Sequence, residues 1–256
     1  MPDLLSGYPS LISISILYRM NAETSASRKR SSNMPAVSEI VLNDLPDFKE
    51  VLDISASMKN APTYPGDRAC QQEWTRSLDA GDGYSLSTIS LCSHAGTHLD
   101  FPSHLLKGGR SLDSYPLNSF IVPAEVISVP GEGPAEPSCL QDCRISKGQA
   151  LLFKTANSSK GLMHRKEFTK DYVSISARLA LACVAQGTGL VGIDYISVDR
   201  YADDDLPVHR IFLQNNILIL EGLDLASVSC GRYLLICLPL KLNNAEASPV
   251  RAALVR

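Results

Sequence analysis

His94-Ala95-Gly96-Thr97-His98-Leu99-Asp100-Phe101-Pro102-Ser103-His104 gathers three of the chain's five histidines, with a carboxylate between them, into eleven residues. On an extended strand side chains alternate between two faces, so positions an even number apart share one. His94, His98 and Asp100 meet that condition, and a single helical turn would also bring His94 and His98 together. Gly96 gives the backbone room to bend, and Pro102 ends any regular element before His104. Two imidazoles and a carboxylate converging on one point are a ligand set for zinc, manganese or iron(II). A polar loop of hydrogen-bonded histidines is the alternative, and so tight a cluster makes it the weaker one.

The segments on either side read as short strands. Residues 51–55 are an apolar strand, followed by a Pro65-Gly66-Asp67 turn. Gly81-Asp82-Gly83 is a second turn, leading into residues 86–92, whose alternating apolar and small polar side chains fit a half-buried strand. Residues 120–129 are β-branched and apolar, residues 131–137 form a loop, and residues 150–155 return to a strand. Residues 174–186 have helical spacing, with Ile175, Leu179, Ala182 and Cys183 on one face and Ser174 or Ser176 as the N-cap. Residues 190–194, 217–220 and 233–238 are short continuous apolar runs, the pattern of strands buried on both faces. Many strands and one clear helix predict a mixed α/β domain and argue against a plain doubly wound sheet. No internal repeat is visible.

Composition narrows the function classes. The chain has 256 residues, 45% of them hydrophobic, which is enough for a packed core. Its net charge of −3, from 24 basic and 27 acidic side chains, lacks the basic field of a nucleic-acid or anionic-membrane binder. No apolar run approaches the roughly 18 residues that span a bilayer. A single tryptophan, Trp74, and 6% aromatics give no stacking platform for single-stranded nucleic acid. None of the seven cysteines forms a CxxC pair; Cys139 and Cys143 come closest, in a Pro-rich loop. Cys183 and Cys237 sit in apolar strings and read as buried, reduced thiols, which favours the cytoplasm. Dinucleotide and phosphate-binding glycine loops, GxSxG and HExxH are all absent.

Residues 1–46 read as a poorly ordered extension rich in Ser, Asn and Pro, and residues 47–256 as the domain. The apolar stretch at 11–18 is preceded only by Asp3, not by the positive charge of a secretory signal. Arg28, Lys29 and Arg30 form a short basic cluster that reads as solvated tail, and Met20 and Met34 are each possible starts.

Some residues outside the histidine string look out of place. Glu221 closes the apolar run at 217–220, where a buried carboxylate is costly without a cation or donors. Taken alone it reads as a strand-end carboxylate before it reads as a ligand, and His209 alone reads as a loop histidine. Asp194 sits where a strand end presents either a functional group or a cap for the next turn. His164, beside Arg165 and Lys166, is bland.

In order and spacing, these stretches resemble one family. His94–His104 is similar to the HxGTHxDxPxH signature of the cyclase family, which includes bacterial kynurenine formamidases and isatin hydrolase. Residues 52–57 with Tyr64-Pro65-Gly66-Asp67 resemble its opening DLS…(W/Y)PGD. Gly108-Gly109-Arg110-Ser111-Leu112-Asp113 resembles the loop after the signature, and Gly192-Ile193-Asp194 with Ser197 and Asp199 resembles its GIDxxSxD segment. Pro207-Val208-His209-Arg210 followed by Glu221 resembles the pair that supplies a second metal site. Leu238-Pro239-Leu240-Lys241 and Ser248-Pro249-Val250-Arg251-Ala252 resemble its C-terminal strand and tail. The likeness covers residues 51–256.

The resemblance implies a β/β/α swivelling-type domain with a barrel-like mixed sheet, few helices and a homodimeric or homotetrameric assembly. It implies His94, His98 and Asp100 as ligands of one metal, with Asp100 bridging to a second ion on His209 and Glu221. The cofactor would be one or two Zn2+ ions, with Mn2+ possible. His104 would be the general acid/base working with metal-activated water on a small-molecule amide. The most direct substrate is an N-formyl aryl amine such as N-formylkynurenine. Tyr64, Trp74 and Phe101 are candidates for an aryl slot, though each reads as core first. A cyclic amide or lactone hydrolase, or a cyclase, on the same metals is the alternative, and a non-catalytic metal-binding protein a more distant one.

Overall fold

Short apolar runs broken by Gly and Pro give many brief strands, with residues 174–186 the one segment whose helical period stands out. A computed structural model describes residues 49–141, 143 and 145–256; the extension expected at 1–46 lies outside them. In chain order the strands are β1 (Val51–Asp53), β2 (Gln71–Arg76), β3 (Leu86–Ser90), β4 (His98–Asp100), β5 (Ile121–Ser128), β6 (Ala150–Lys154), β7 (Leu190–Ile193), β8 (Leu218–Glu221), β9 (Gly231–Pro239) and β10 (Ala247–Val255). Three α-helices stand among the described residues: α1 (Ala156–Ser159), α2 (Ala177–Ala185) and α3 (Pro207–Gln214).

Eight strands form one sheet in the order β1-β10-β4-β8-β7-β6-β5-β9, and β9 also pairs with β10. Seven of them therefore close into a barrel, with β1 attached along β10. The pairs β5–β6, β6–β7 and β7–β8 are parallel and the remaining pairs antiparallel. This is the mixed, barrel-like architecture expected.

Side-chain alternation sorts the core into two clusters. Leu99, Ala124, Val126, Leu152, Leu190, Leu220, Leu235, Ala252 and Leu254 come from all seven barrel strands and pack together inside the barrel. The neighbouring positions on the parallel strands, among them Leu151, Phe153, Val191, Ile193 and Ile219, face outward. There they pack under Leu179, Ala180 and Cys183 of α2 and Val208, Phe212 and Leu213 of α3. With helices over the outer face and the barrel core behind, β7 and β8 are buried on both faces, as their continuous apolar runs predict. Residues 233–238 depart from that expectation. β9 lies between antiparallel neighbours, away from the α-helices of the described residues, so Tyr233, Leu235 and Cys237 are buried while alternate positions are not.

The hairpin β2–β3 is a separate two-stranded sheet. The expected half-buried strand at 86–92 instead leaves Leu86 52% and Ile89 60% exposed, because the hairpin does not pack on the barrel. Helix α2 begins as expected: the Ser176 Oγ accepts the Leu179 N–H at 3.1 Å. Helix α3 was not legible, being only eight residues long and opening on Pro207.

Candidate active site

β4 and β8 are adjacent antiparallel strands whose register places His98 opposite Glu221 and Asp100 opposite Ile219. His98, Asp100 and Glu221 thus share the outer face, beneath α3, while Leu99 and Leu220 point into the barrel. Upstream of β4 the chain turns at Gly96, whose φ of +61° lies in the left-handed region. That bend brings the His94 ring within 5.1 Å of the His98 ring centroid. A 3-10 turn at Pro102–His104 folds back after β4 and sets the His104 ring 4.4 Å from that of His94. From α3, His209 covers the cluster, its ring 5.9 Å from His104. His209 is a helical residue, not a loop one.

The five residues meet around Asp100. His98 Nε2 lies 3.3 Å from Glu221 Oε2 and 3.5 Å from Asp100 Oδ1. His209 Nε2 lies 3.3 Å from Glu221 Oε1 and 3.4 Å from Asp100 Oδ2. His94 Nδ1 lies 3.0 Å from Asp100 Oδ1. Ligand atoms of His98, Asp100 and Glu221 fall within 4.8 Å of one another, as do those of His94, Asp100 and His104. His94 and His98, which the resemblance groups together, approach the same Asp100 oxygen, Oδ1, while His98 also meets Glu221 and His104 lies beside His94.

This donor set fits a cation. His98 Nδ1 is 2.9 Å from the Gly96 carbonyl oxygen, which can only accept, so Nδ1 carries a proton and Nε2 is the ring nitrogen free to offer a lone pair to a cation. That Nε2 and both Asp100 oxygens are buried without a hydrogen-bond partner. Lone pairs aimed at one another in a water-poor pocket cost several kcal/mol unless positive charge lies between them.

The ionisation pattern shows the same demand. Burial works to raise Asp100, but the surrounding imidazoles of His94, His98 and His209 outweigh it and hold the carboxyl well below its usual range. Burial also opposes Glu221 ionisation, yet His209 and His98 bring it down to about 2. Burial disfavours the His94 cation, but Asp100, Glu221 and Glu246 push it up to about 9. His209 is raised well above the histidine range against burial, by Glu221, Asp100 and Asp199. For His104 burial is the largest influence and wins, so its pKa is lowered.

Backbone contacts fix the frame. Val198 N–H donates to Glu221 Oε1 at 2.7 Å. Thr97 Oγ1 donates to the Gly222 carbonyl at 2.6 Å and accepts the Ala56 N–H at 2.8 Å. Two carboxylates unread as site residues stand behind the histidines. Asp199 Oδ2 is 2.6 Å from His209 Nδ1, and Glu246 Oε1 is 3.7 Å from His94 Nε2. Asp199 lies in the segment singled out after β7, but nothing in its spacing from His209 signals the contact. Asp194 resolves as a cap: it accepts from Thr155 and Ser158 N–H and hydroxyl groups at the start of α1. His164 stays apart, 3.2 Å from Asp224.

A cleft of about 230 Å³ opens onto His94, His98, His104, His209 and Glu221, walled by Tyr64, Asp67, Ile196, Ser197 and Leu206. Of the three aromatics considered for an aryl slot, only Tyr64 lines it, braced edge-on by Phe168 at 5.3 Å. Phe101 is fully buried in the barrel core, and Trp74 is 61% exposed on the hairpin.

Barrel and donor cluster together define a protein built to hold a metal ion at the floor of a cleft. A family profile described as "Putative cyclase" matches residues 35–200, and the chain belongs to that cyclase family. A kynurenine formamidase of Salinibacter ruber is 38% identical over 207 residues, covering 80% of this chain and 96% of that protein. Cyclase-like protein 3 of Oryza sativa subsp. japonica is 36% identical over 187 residues, covering 70% of this chain and 69% of that one. A solved structure described as a potential metal-dependent hydrolase with cyclase activity matches at 27% identity with a TM-score of 0.68, covering 80% of this chain and 97% of that chain. Isatin hydrolase A of Ralstonia solanacearum shares the fold, with a TM-score of 0.70 at 20% identity over 90% of this chain and 99% of that one.

Proposed function

We propose that the protein is a metal-dependent hydrolase of amide C–N bonds, of the arylformamidase type, converting N-formylkynurenine to kynurenine and formate in tryptophan catabolism. The observation that carries this reading is a buried His–carboxylate cluster at the floor of an aryl-sized cleft, in a chain 38% identical to a protein named kynurenine formamidase. His94, His98, Asp100, His209 and Glu221 would hold one or two ions, with Asp100 shared between them. The donor types suit Zn2+, and Mn2+ as a second choice. When bound, such an ion polarises a carbonyl oxygen and lowers the pKa of a water from 15.7 to about 7.

The remaining work belongs to side chains. His104, with its pKa lowered, is a neutral imidazole near pH 7. A ring nitrogen can take the proton of the attacking water and return it to the aniline nitrogen as the C–N bond breaks, a role worth about 10²–10⁴ in rate. The formyl carbon needs little room at the cluster, and the aryl ring lies along Tyr64, Ile196 and Leu206. The protein, assayed for metal content and for hydrolysis of N-formylkynurenine before and after chelation and re-addition of zinc or manganese, tests the reading. Turnover that vanishes on chelation and returns with metal is the expected result. Metal without formamide turnover would redirect the assay to cyclic amides and lactones, and absence of metal would refute the reading.

The catalytic domain in this proposal spans residues 47–256. A homodimer or homotetramer is supported by the β2–β3 hairpin, since a two-stranded hairpin is marginal in water unless covered and this one exposes Trp74, Leu86 and Ile89. A cytoplasmic location is supported by the free thiols of Cys70, Cys92, Cys139, Cys183, Cys230 and Cys237. Among the described residues no helix is long and apolar enough to cross a membrane.

A further inference from the structure

We infer that Asp199 is a positioning residue that selects the metal-facing tautomer of His209, and so controls how tightly the deep donor set of His98, Asp100, Glu221 and His209 holds its ion. The inference rests on the ligand set proposed above. Asp199 is fully buried, and its carboxylate is used three times. Oδ2 meets the His209 Nδ1 at 2.6 Å and accepts the His209 backbone N–H at 3.0 Å, while Oδ1 accepts the Val208 N–H at 2.8 Å. The carboxylate therefore caps the start of α3 and grips the first imidazole on that helix with the same atoms.

An ionised carboxylate only accepts, so the short contact puts a proton on His209 Nδ1. The other ring nitrogen, Nε2, points at Asp100 and Glu221 and is left with its lone pair toward the site whenever the ring is neutral. Asp199 is itself held: its N–H donates to Ser197 Oγ at 3.2 Å, and its carbonyl accepts the Tyr172 hydroxyl at 2.5 Å. The cap that would ordinarily come from the preceding residue is missing, since Leu206 at that position has φ +48° and no capping side chain. Helix entry and ligand orientation both fall to Asp199.

The two duties separate in one substitution. Asn caps helices about as well as Asp, so a purely structural Asp199 would be rescued by Asp199→Asn. An amide cannot serve as the carboxylate does. With its oxygen on Nδ1, its NH2 group faces the Val208 N–H; reversed, it donates to Nδ1 and moves the ring proton to Nε2, the ligand atom. We therefore expect D199N to keep its helical content but bind Zn2+ about 10–100-fold more weakly in chelator competition, with metal release beginning at a higher pH than in the wild type. D199A should lose both cap and affinity. Zinc binding by D199N at wild-type affinity would overturn the inference. Should the variants not fold, histidine 15N NMR of the zinc-loaded wild type decides it: Nδ1 protonated and Nε2 on metal is expected, and the reverse overturns it. A wild type that binds no zinc fails the proposed function itself, a different outcome from a wild type that binds and a D199N that binds equally well.

Discussion

His98 on β4 and Glu221 on β8 are register partners on adjacent strands, and their side chains meet with Nε2 3.3 Å from Oε2. Residues 123 positions apart thus become neighbours through backbone pairing alone, without loops in between. Because the site is buried, removing the Glu221 charge strips the raised His209 of one of its anionic partners. Breaking such a buried pair costs about 3–5 kcal/mol. Glu221→Gln should lower the melting temperature of the chelated protein and deplete bound metal, read by calorimetry and elemental analysis.

His104→Ala separates base from ligand. If His104 moves protons, the variant keeps its metal while kcat falls by about 10²–10⁴. His104 also lies within ligand distance of His94 and Asp100. Loss of stoichiometric metal in H104A would therefore reassign it to the metal set.

Asp100 is common to both donor groups. Asp100→Ala should empty both, leaving no metal after dialysis, whereas a residual equivalent of one ion would show that the groups bind independently.

The chelated protein should have a stability maximum on the acid side of neutrality. Glu221, near 2 in the fold against a usual 4.5, contributes stability present above about 4.5 and lost as pH falls toward 2. His94, raised from 6.5 to about 9, contributes stability complete below 6.5 and lost as pH rises through 9. Melting temperature against pH should therefore decline on both sides of roughly pH 4.5–6.5. Zinc should abolish the alkaline decline, because the ion replaces the proton as the positive charge; a decline that persists with zinc would contradict the assignment.

Gly222 follows Glu221 with φ +70°, and a Cβ there would strike the Gly96 carbonyl oxygen. Gly222→Ala should cost roughly 1–3 kcal/mol of stability from backbone strain alone. It should also weaken metal binding, because Gly96 carries the carbonyl that fixes His98. Thermal melts with and without zinc measure the two effects.

Much of this was legible in the sequence. Even spacing put His98 and Asp100 on one strand face, Gly96 and Pro102 bent and ended the element as expected, and continuous apolar runs marked β7 and β8. The pairing of β4 with β8, which brings in Glu221, is a long-range register and leaves no local trace. Helix α3 was too short for its period to emerge, so His209 read as a loop residue. Residues 86–92 alternate like a half-buried strand, but β3 lies in a separate two-stranded sheet that leaves Leu86 and Ile89 exposed. Asp199 was visible only as part of a family-like segment, since its effect is on a side chain ten residues away and one helix turn inward.

The alternation along β4 and β8 carries a last consequence. Leu99 and Leu220 fill the barrel, while His98, Asp100 and Glu221 hold the chemistry on the other side of the same strands. A slip of one residue would exchange the two sets, putting charges into the barrel and leucines beneath α3. A misregistered pairing would bury unpaired charge in the barrel and is strongly disfavoured. The same alternation that fills the barrel with leucines thus fixes which way the donor row faces.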